Sequence, residues 1–277
     1  MTFEKLVSSH SHQTSSPPDR HCSNPAKFDG HLRIYPTLAC NLRCDYCVNE
    51  QMGQRPAVFS QASPEAWVQA INREGRHVVL TGGEPFLYPG LSELINGVNA
   101  DLKVRVYTNF CLSLRDVLDR IQRPVHFFIS WHPQQRADRD TFLDNAFHML
   151  DNPLFTADMH AIDAEETRAG LDADLDYFLK KGLTVTKDDD QRTFDGSCQT
   201  ALKTAVCSKI IYLIGPDGTR FQCVSRLIRK DRPMENMLKS PLATEEAVSL
   251  CPDFGNCAPC DILGQTQMAV YNNGQEE

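Results

Sequence analysis

From His31 to about Lys187, short β-rich apolar runs alternate with amphipathic stretches of helical spacing, a rhythm that predicts successive βα units and hence a parallel sheet. The predicted strands are HLRIYPT (31–37), HVVLT (77–81), LKVRVYT (102–108), VHFFIS (125–130), LFTADMHAI (154–162) and LTVTK (183–187). Helices are expected near 91–99, 113–121, 139–150 and 171–181. Between the first two strands Ser63-Pro64-Glu65 supplies an N-cap serine, a proline at the first helical position and an early carboxylate, followed by AWVQAINRE. Six such repeats are too few for a closed eight-stranded barrel of about 250 residues, so the expected fold class is α/β, an open, partial (β/α)6 barrel of TIM type. After Lys187 the rhythm changes. KIIYLIG, Pro-Asp-Gly and TRFQCV read as a β-hairpin with no parallel partner in the preceding repeat, which places the start of a small C-terminal module, hairpin plus helix, near residue 191. The expected organisation is a tail over 1–28, a barrel over 29–190 and the module over 191–277. The tail (SSHSHQTSSPPDRH) holds too few apolar side chains to offset its ordering entropy, and its His10 and His12 read as solvated.

The 277 residues leave room for one large domain and an appendage. A net charge of −8 gives no basic footprint for a phosphate backbone, which disfavours nucleic acid and leaves a small molecule or a peptide as the expected substrate. Apolar runs such as Ile210 to Ile214 are too short to cross a bilayer and no charged-then-apolar leader opens the sequence, so the expectation is a cytoplasmic protein without a membrane partner. In that compartment eleven cysteines point to metal ligands rather than disulfides.

Directly after the first strand stands Cys40-Asn41-Leu42-Arg43-Cys44-Asp45-Tyr46-Cys47, a C-x3-C-x2-C triplet. Three thiolates in one loop can hold three irons of a 4Fe-4S cluster and leave the fourth open; a zinc site is the alternative and needs a fourth ligand. The second strand ends in Thr81-Gly82-Gly83-Glu84-Pro85, two glycines that permit close approach and a carboxylate able to accept from an ammonium group. The third ends in Thr108-Asn109 and the fourth in Ser130-Trp131-His132, and strand C-termini are where barrel enzymes build their sites.

The triplet followed by Gly-Gly-Glu-Pro resembles the radical S-adenosylmethionine superfamily over about residues 31–187. The resemblance implies that Cys40, Cys44 and Cys47 bind the cluster and that the methionine amino and carboxylate groups of S-adenosylmethionine chelate the open iron. It further implies that Glu84, with the backbone of Gly82 and Gly83, holds the methionine ammonium, that Tyr46 lies against adenine, and that Ser130 and Asn109 are candidates for cofactor contacts. The implied chemistry is reductive cleavage to methionine and a 5′-deoxyadenosyl radical, fed by an electron donor of flavodoxin or ferredoxin type, with hydrogen abstraction from the substrate.

Six cysteines follow residue 190. Cys207 and Cys223 bracket the hairpin, and Cys257-Ala258-Pro259-Cys260 is a C-x2-C pair. The arrangement resembles the twitch module, a shortened relative of the SPASM module, and implies one auxiliary 4Fe-4S cluster held by Cys207, Cys223, Cys257 and Cys260; a structural zinc in the same tetrad is the alternative. An auxiliary cluster near the substrate favours two-electron oxidation, dehydrogenation of a biosynthetic intermediate or cross-linking of a peptide. Epimerisation, with Cys198 or Cys251 as hydrogen donor, is the rival chemistry, and a non-enzymatic zinc or iron–sulfur scaffold is the rival class. Asp188, in the Asp188-Asp189-Asp190 run after the sixth strand, is the candidate for binding an amine or accepting a proton, and His132 and Arg136 are candidate substrate contacts.

Overall fold

The computed structural model describes residues 31–47, 49, 59–133, 138–190, 203–207, 212–243, 249–254 and 268–271. The expected tail over 1–28, together with Arg136, Cys198, Cys257 and Cys260, lies outside the described residues.

Six strands form the expected parallel run: β1 (Leu32–Thr37), β2 (Val78–Gly82), β3 (Val104–Thr108), β4 (Val125–Trp131), β5 (Phe155–Asp163) and β6 (Thr186–Asp189). The helices between them are α1 (Pro64–Glu74), α2 (Leu91–Gly97), α3 (Arg115–Asp119), α4 (Arg139–Leu150) and α5 (Arg168–Lys180). The spatial order β6-β5-β4-β3-β2-β1 follows the chain, and the sheet stays open.

The alternation along each strand sorts its side chains between two faces. Leu32 and Ile34, Val78 and Leu80, Val104 and Val106, and Phe127 and Ile129 are all buried in one cluster with Trp67, Leu94, Phe142 and Phe178 of the helices. The opposite face carries Arg33, Arg105, Tyr107, His126, Phe128 and Ser130, of which none belongs to that cluster. Near the top of the helical side Trp131 meets Phe142 and Phe178 edge-on at 5.0 and 4.9 Å and donates from its indole N–H to Asp174 at 3.2 Å. Arg139 approaches that fully buried carboxylate to 3.5 Å, so the charge is not left alone in the core.

Helix α1 begins and ends as its sequence dictates. The Ser63 hydroxyl accepts from the Ala66 N–H at 3.3 Å, Pro64 opens the helix, and Gly75 closes it in the left-handed conformation with φ of 62°. Ser63→Ala is expected to lower stability by about 1 kcal/mol, read as a shift in the urea midpoint without a change in slope.

Three features depart from the sequence-based expectation. Tyr212-Leu213-Ile214, strand β8, does have a parallel partner: it pairs with β1 in the register Leu32↔Tyr212, Arg33↔Leu213, Ile34↔Ile214. All three residues are buried, the pattern of a strand covered on both faces, and the open barrel leaves the β1 edge available to them. The expected hairpin does form, through β9 (Arg220–Phe221), and leads into α6 (Val224–Arg229). Next, β7 (Lys203–Cys207), β10 (Ser249–Phe254) and β11 (Met268–Tyr271) build a second, antiparallel sheet in the order β10-β7-β11, which the sequence pattern did not suggest. Finally, β6 starts at Thr186 rather than at 183, because Gly182 turns the chain at φ of 86° and Leu183 is drawn back by an N–H bond to the Phe178 carbonyl. Asp188 and Asp189 therefore lie within the strand and only Asp190 follows it.

Candidate active site

The end of β1 is locked to the end of β2, and that lock delivers the cysteine loop. The Thr37 hydroxyl accepts from the Ala39 N–H at 2.9 Å, turning the chain into Cys40. Gly83 N–H donates to the Thr37 carbonyl at 3.1 Å and Glu84 N–H to the Ala39 carbonyl at 2.8 Å. Both glycines are required by this approach: a Cβ would stand 2.1 Å from the Thr37 carbonyl oxygen at Gly82, whose φ is 137°, and 2.0 Å from that of Ala39 at Gly83. These glycines admit the backbone that carries the cysteines, and both also line the cavity.

Cys40, Cys44 and Cys47 line a cavity of about 250 Å³. None is in a disulfide; Cys44 is buried and the other two are half-buried. The loop holds itself through Cys47 N–H to the Cys44 carbonyl at 2.9 Å and Leu42 N–H to the Cys40 sulfur at 3.4 Å. Asn109 ties it to β3, donating from its amide to Asn41 Oδ1 at 2.9 Å with the same nitrogen 3.9 Å from the Cys40 sulfur. Gly82, Gly83, Asn109, Ser130, Tyr46 and His132 line the same cavity, so with the three cysteines nine of the sequence-predicted site residues converge at the C-terminal ends of β1 to β4.

Tyr46 and His132 form one wall. The phenol and Nδ1 of the imidazole are hydrogen-bonded at 2.7 Å, and the rings stack at 5.8 Å. Burial raises the Tyr46 pKa, with Cys44 adding to it, and burial lowers that of His132 to about 4, so the pair is neutral near pH 7. Tyr46→Phe leaves the His132 nitrogen without this partner and is expected to cost about 1 kcal/mol, measured by urea denaturation.

Ser130 also lines the cavity, and its hydroxyl meets His160 Nε2 at 2.7 Å. Burial lowers the His160 pKa, while Asp188, at 4.0 Å, opposes the shift. His160 was not among the predicted site residues. Its signal lay in register, Ser130↔His160 across β4 and β5, which no local motif announces.

Glu84 does not line the cavity: it is 1 % exposed, and its carboxylate accepts from Thr108 Oγ1 at 2.9 Å, Asn109 N–H at 2.8 Å and Phe86 N–H at 3.1 Å. It opens the short 3-10 turn Pro85–Leu87 as its N-cap and ties β2 to β3. Burial raises its pKa to about 7 against the pull of those three donors. In the aspartate run, the exposed Asp188 side chain neighbours His160, whereas Asp190 is buried and lines the cavity.

Cys223 stands between β9 and α6 and is half-buried; Cys207 ends β7 opposite Ser249 and Met268; Cys251 lies in β10 opposite Ala205. Cys111, buried beneath Asn109, donates from its thiol to the Asn109 carbonyl at 3.2 Å.

The donor set bears on what the cysteine loop can hold. A single zinc ion takes four Cys or His ligands, one more than the loop's three cysteines. An iron–sulfur cluster takes one thiolate per iron and fits three sulfurs set around one cavity. No helix among the described residues is long and apolar enough to cross a membrane.

Comparison with known proteins bears on the same region. Residues 34–132 match the model of the radical SAM superfamily. A 7-carboxy-7-deazaguanine synthase of Clostridium acetobutylicum is 33 % identical over 94 residues, 32 % of this chain and 42 % of that protein. A GTP 3′,8-cyclase of Chlorobaculum tepidum is 35 % identical over 66 residues, 24 % of this chain and 20 % of that protein. The chain thus spans less than half the length of these curated relatives. Among solved structures, anSMEcpe with bound AdoMet superposes with a TM-score of 0.54 at 15 % identity, over 77 % of this chain and 79 % of that one. Streptococcus suis SuiB bound to precursor peptide SuiA gives 0.52 at 13 % identity, over 86 % and 73 %. These two share the fold, a mostly parallel α/β partial barrel. The cysteine loop, the Gly82-Gly83 lock and the ends of β3 and β4 all lie inside the segment, residues 34–132, that matches the radical SAM superfamily.

Proposed function

We propose that this protein binds a 4Fe-4S cluster through Cys40, Cys44 and Cys47, cleaves S-adenosylmethionine reductively, and abstracts hydrogen from a small biosynthetic intermediate or a peptide. The observation that carries the reading is the convergence of the three thiols with Gly82, Gly83, Asn109 and Ser130 on one cavity. Cys40, Cys44 and Cys47 would hold the cluster, which when bound would supply the electron for reductive cleavage of S-adenosylmethionine. The protein's own share is placement. Tyr46 offers an aromatic wall, the Gly82 and Gly83 backbone lines the rim, and Ser130, held by His160, faces the same space. The neutral Tyr46–His132 pair keeps a charged group off that wall. Asp190, buried at the cavity, takes the role expected of Asp188 as acceptor for a substrate amine or proton.

The reaction proposed is a two-electron oxidation, a dehydrogenation or a cross-link, with an auxiliary 4Fe-4S cluster on Cys207, Cys223, Cys257 and Cys260 in a twitch-like module over 191–277, and with a flavodoxin or ferredoxin as external electron donor. A peptide substrate gains support from the likeness of fold to SuiB, which was crystallised with its precursor peptide. Anaerobic reconstitution with iron and sulfide, followed by S-adenosylmethionine and dithionite, tests the whole reading. About eight irons per chain and formation of 5′-deoxyadenosine are expected. About four irons with cleavage would remove the auxiliary cluster alone, and zinc without cleavage would remove the enzyme.

A further inference from the structure

Below the cavity, toward the N-terminal ends of the strands, the inner face of the sheet carries charge where barrel interiors are ordinarily filled by branched aliphatic side chains. On β3, Val104 and Val106 are buried against the helices, whereas Arg105 and Tyr107 face the other way, half-buried. Tyr107 lines the cavity, so Arg105, two residues earlier, lies on the same face roughly 7 Å below it. The register sets Arg105 opposite Val79 of β2, and Val79 opposite Arg33 of β1. Two guanidinium-bearing positions thus flank one buried valine, with their backbones roughly 10 Å apart.

The neighbours do not neutralise Arg105. His126, its register partner on β4, is bonded to Thr156 at 2.8 Å and to Asp158 at 3.2 Å, so the Asp158 carboxylate on β5 is engaged by the imidazole. The Arg33 guanidinium stands 5.5 Å from the centroid of the Tyr107 ring, on the path from the arginines to the cavity. Arg105 itself makes no hydrogen bond, ion pair or ring contact among the described residues. A half-buried guanidinium gives up hydration, and here no acceptor in the described structure compensates it.

We propose that Arg105 and Arg33 form an oxyanion subsite that binds a phosphate or carboxylate group of the substrate, with the remainder of the molecule passing over Tyr107 to the cysteine-lined cavity. The subsite rests on the proposed function for its meaning and narrows the substrate to an anionic molecule. Arg105 to Asn109 is four residues of strand, so the anionic group lies roughly 13 Å below the level of Asn109. The planar fork of arginine suits bidentate capture of either oxyanion.

Calorimetric titration of the reconstituted full chain with inorganic pyrophosphate, and separately with citrate, tests the subsite without requiring turnover. Saturable binding of at least one of them is expected, and the preferred anion distinguishes a phosphate subsite from a carboxylate one. Arg105→Gln is expected to weaken that binding at least about tenfold, Arg33→Gln to weaken it also, and Arg105→Lys, which keeps the charge, to retain most of it. Absence of saturable binding in the wild type, or equal affinities for wild type and both glutamine variants, would overturn the proposal. Two glutamine variants guard against the misfolding of either. Assay of 5′-deoxyadenosine on the same wild-type preparation separates the two readings: cleavage without anion binding removes the subsite alone, and anion binding without cleavage removes the radical chemistry and leaves the subsite standing.

Discussion

A Cys44→Ala variant, reconstituted anaerobically beside the wild type, is expected to lose about four irons per chain and all detectable 5′-deoxyadenosine. Cys44 is the buried member of the triplet, and its carbonyl accepts the Cys47 N–H that shapes the loop. Two thiolates cannot hold three irons, and no other cysteine lines the cavity among the described residues to replace the third. The fold should survive, because the loop's anchorage lies elsewhere, in the bonds from Gly83 and Glu84 to Thr37 and Ala39. Far-UV circular dichroism and the urea midpoint should therefore stay close to wild type while iron, sulfide and cleavage fall together. Full iron content with cleavage retained would show that this triplet is not the cluster site.

The triplet was legible in the sequence because its chemistry is local: Cys40, Cys44 and Cys47 fall within eight residues, after an obvious strand. The parallel repeat was legible for a similar reason, since two-residue alternation, a capped helix and a turn recur without reference to distant partners. What escaped is everything set by contacts between distant segments. Gly83 is a glycine because the carbonyl of Ala39, on another strand's exit, occupies the place of a Cβ. His160 enters the site through its register with Ser130, and Arg105 becomes notable only once β1, β2 and β3 are laid side by side. That Asp190 is the buried carboxylate of its run was not legible because the strand begins three residues later than its apolar pattern suggests, which puts Asp190 at the strand's exit. The run 212–214 was read as the arm of an isolated hairpin for the same reason: nothing in Tyr-Leu-Ile states that the edge of β1 is vacant.

Glu84→Ala should be the most damaging single change that leaves every cysteine in place. It removes an acceptor from the Thr108 hydroxyl and from the N–H groups of Asn109 and Phe86, in a place almost closed to water. Each donor left unpaired costs about 1–3 kcal/mol, so a total near 3–5 kcal/mol is expected, a large part of an ordinary domain's stability. Asn109 would lose its backbone anchor while still reaching for Asn41, so iron retention should fall with stability. Glu84→Gln is the milder probe: its amide oxygen can still accept, but its NH2 group faces a donor, at a cost of about 1–3 kcal/mol. The pH dependence has a definite sign. Because burial raises the folded-state pKa to about 7 from an ordinary 4.5, the folded protein binds the proton more tightly than the unfolded chain between those values. The contribution of Glu84 is therefore fully present below about pH 4.5 and is lost as pH rises through 7, and Glu84→Gln removes that slope. Urea midpoints measured for wild type, Glu84→Ala and Glu84→Gln at intervals from pH 5 to 8 check both statements. An alanine variant within about 1 kcal/mol of wild type, or a glutamine variant with an unaltered pH profile, would show that the clamp between β2 and β3 does not depend on this carboxylate.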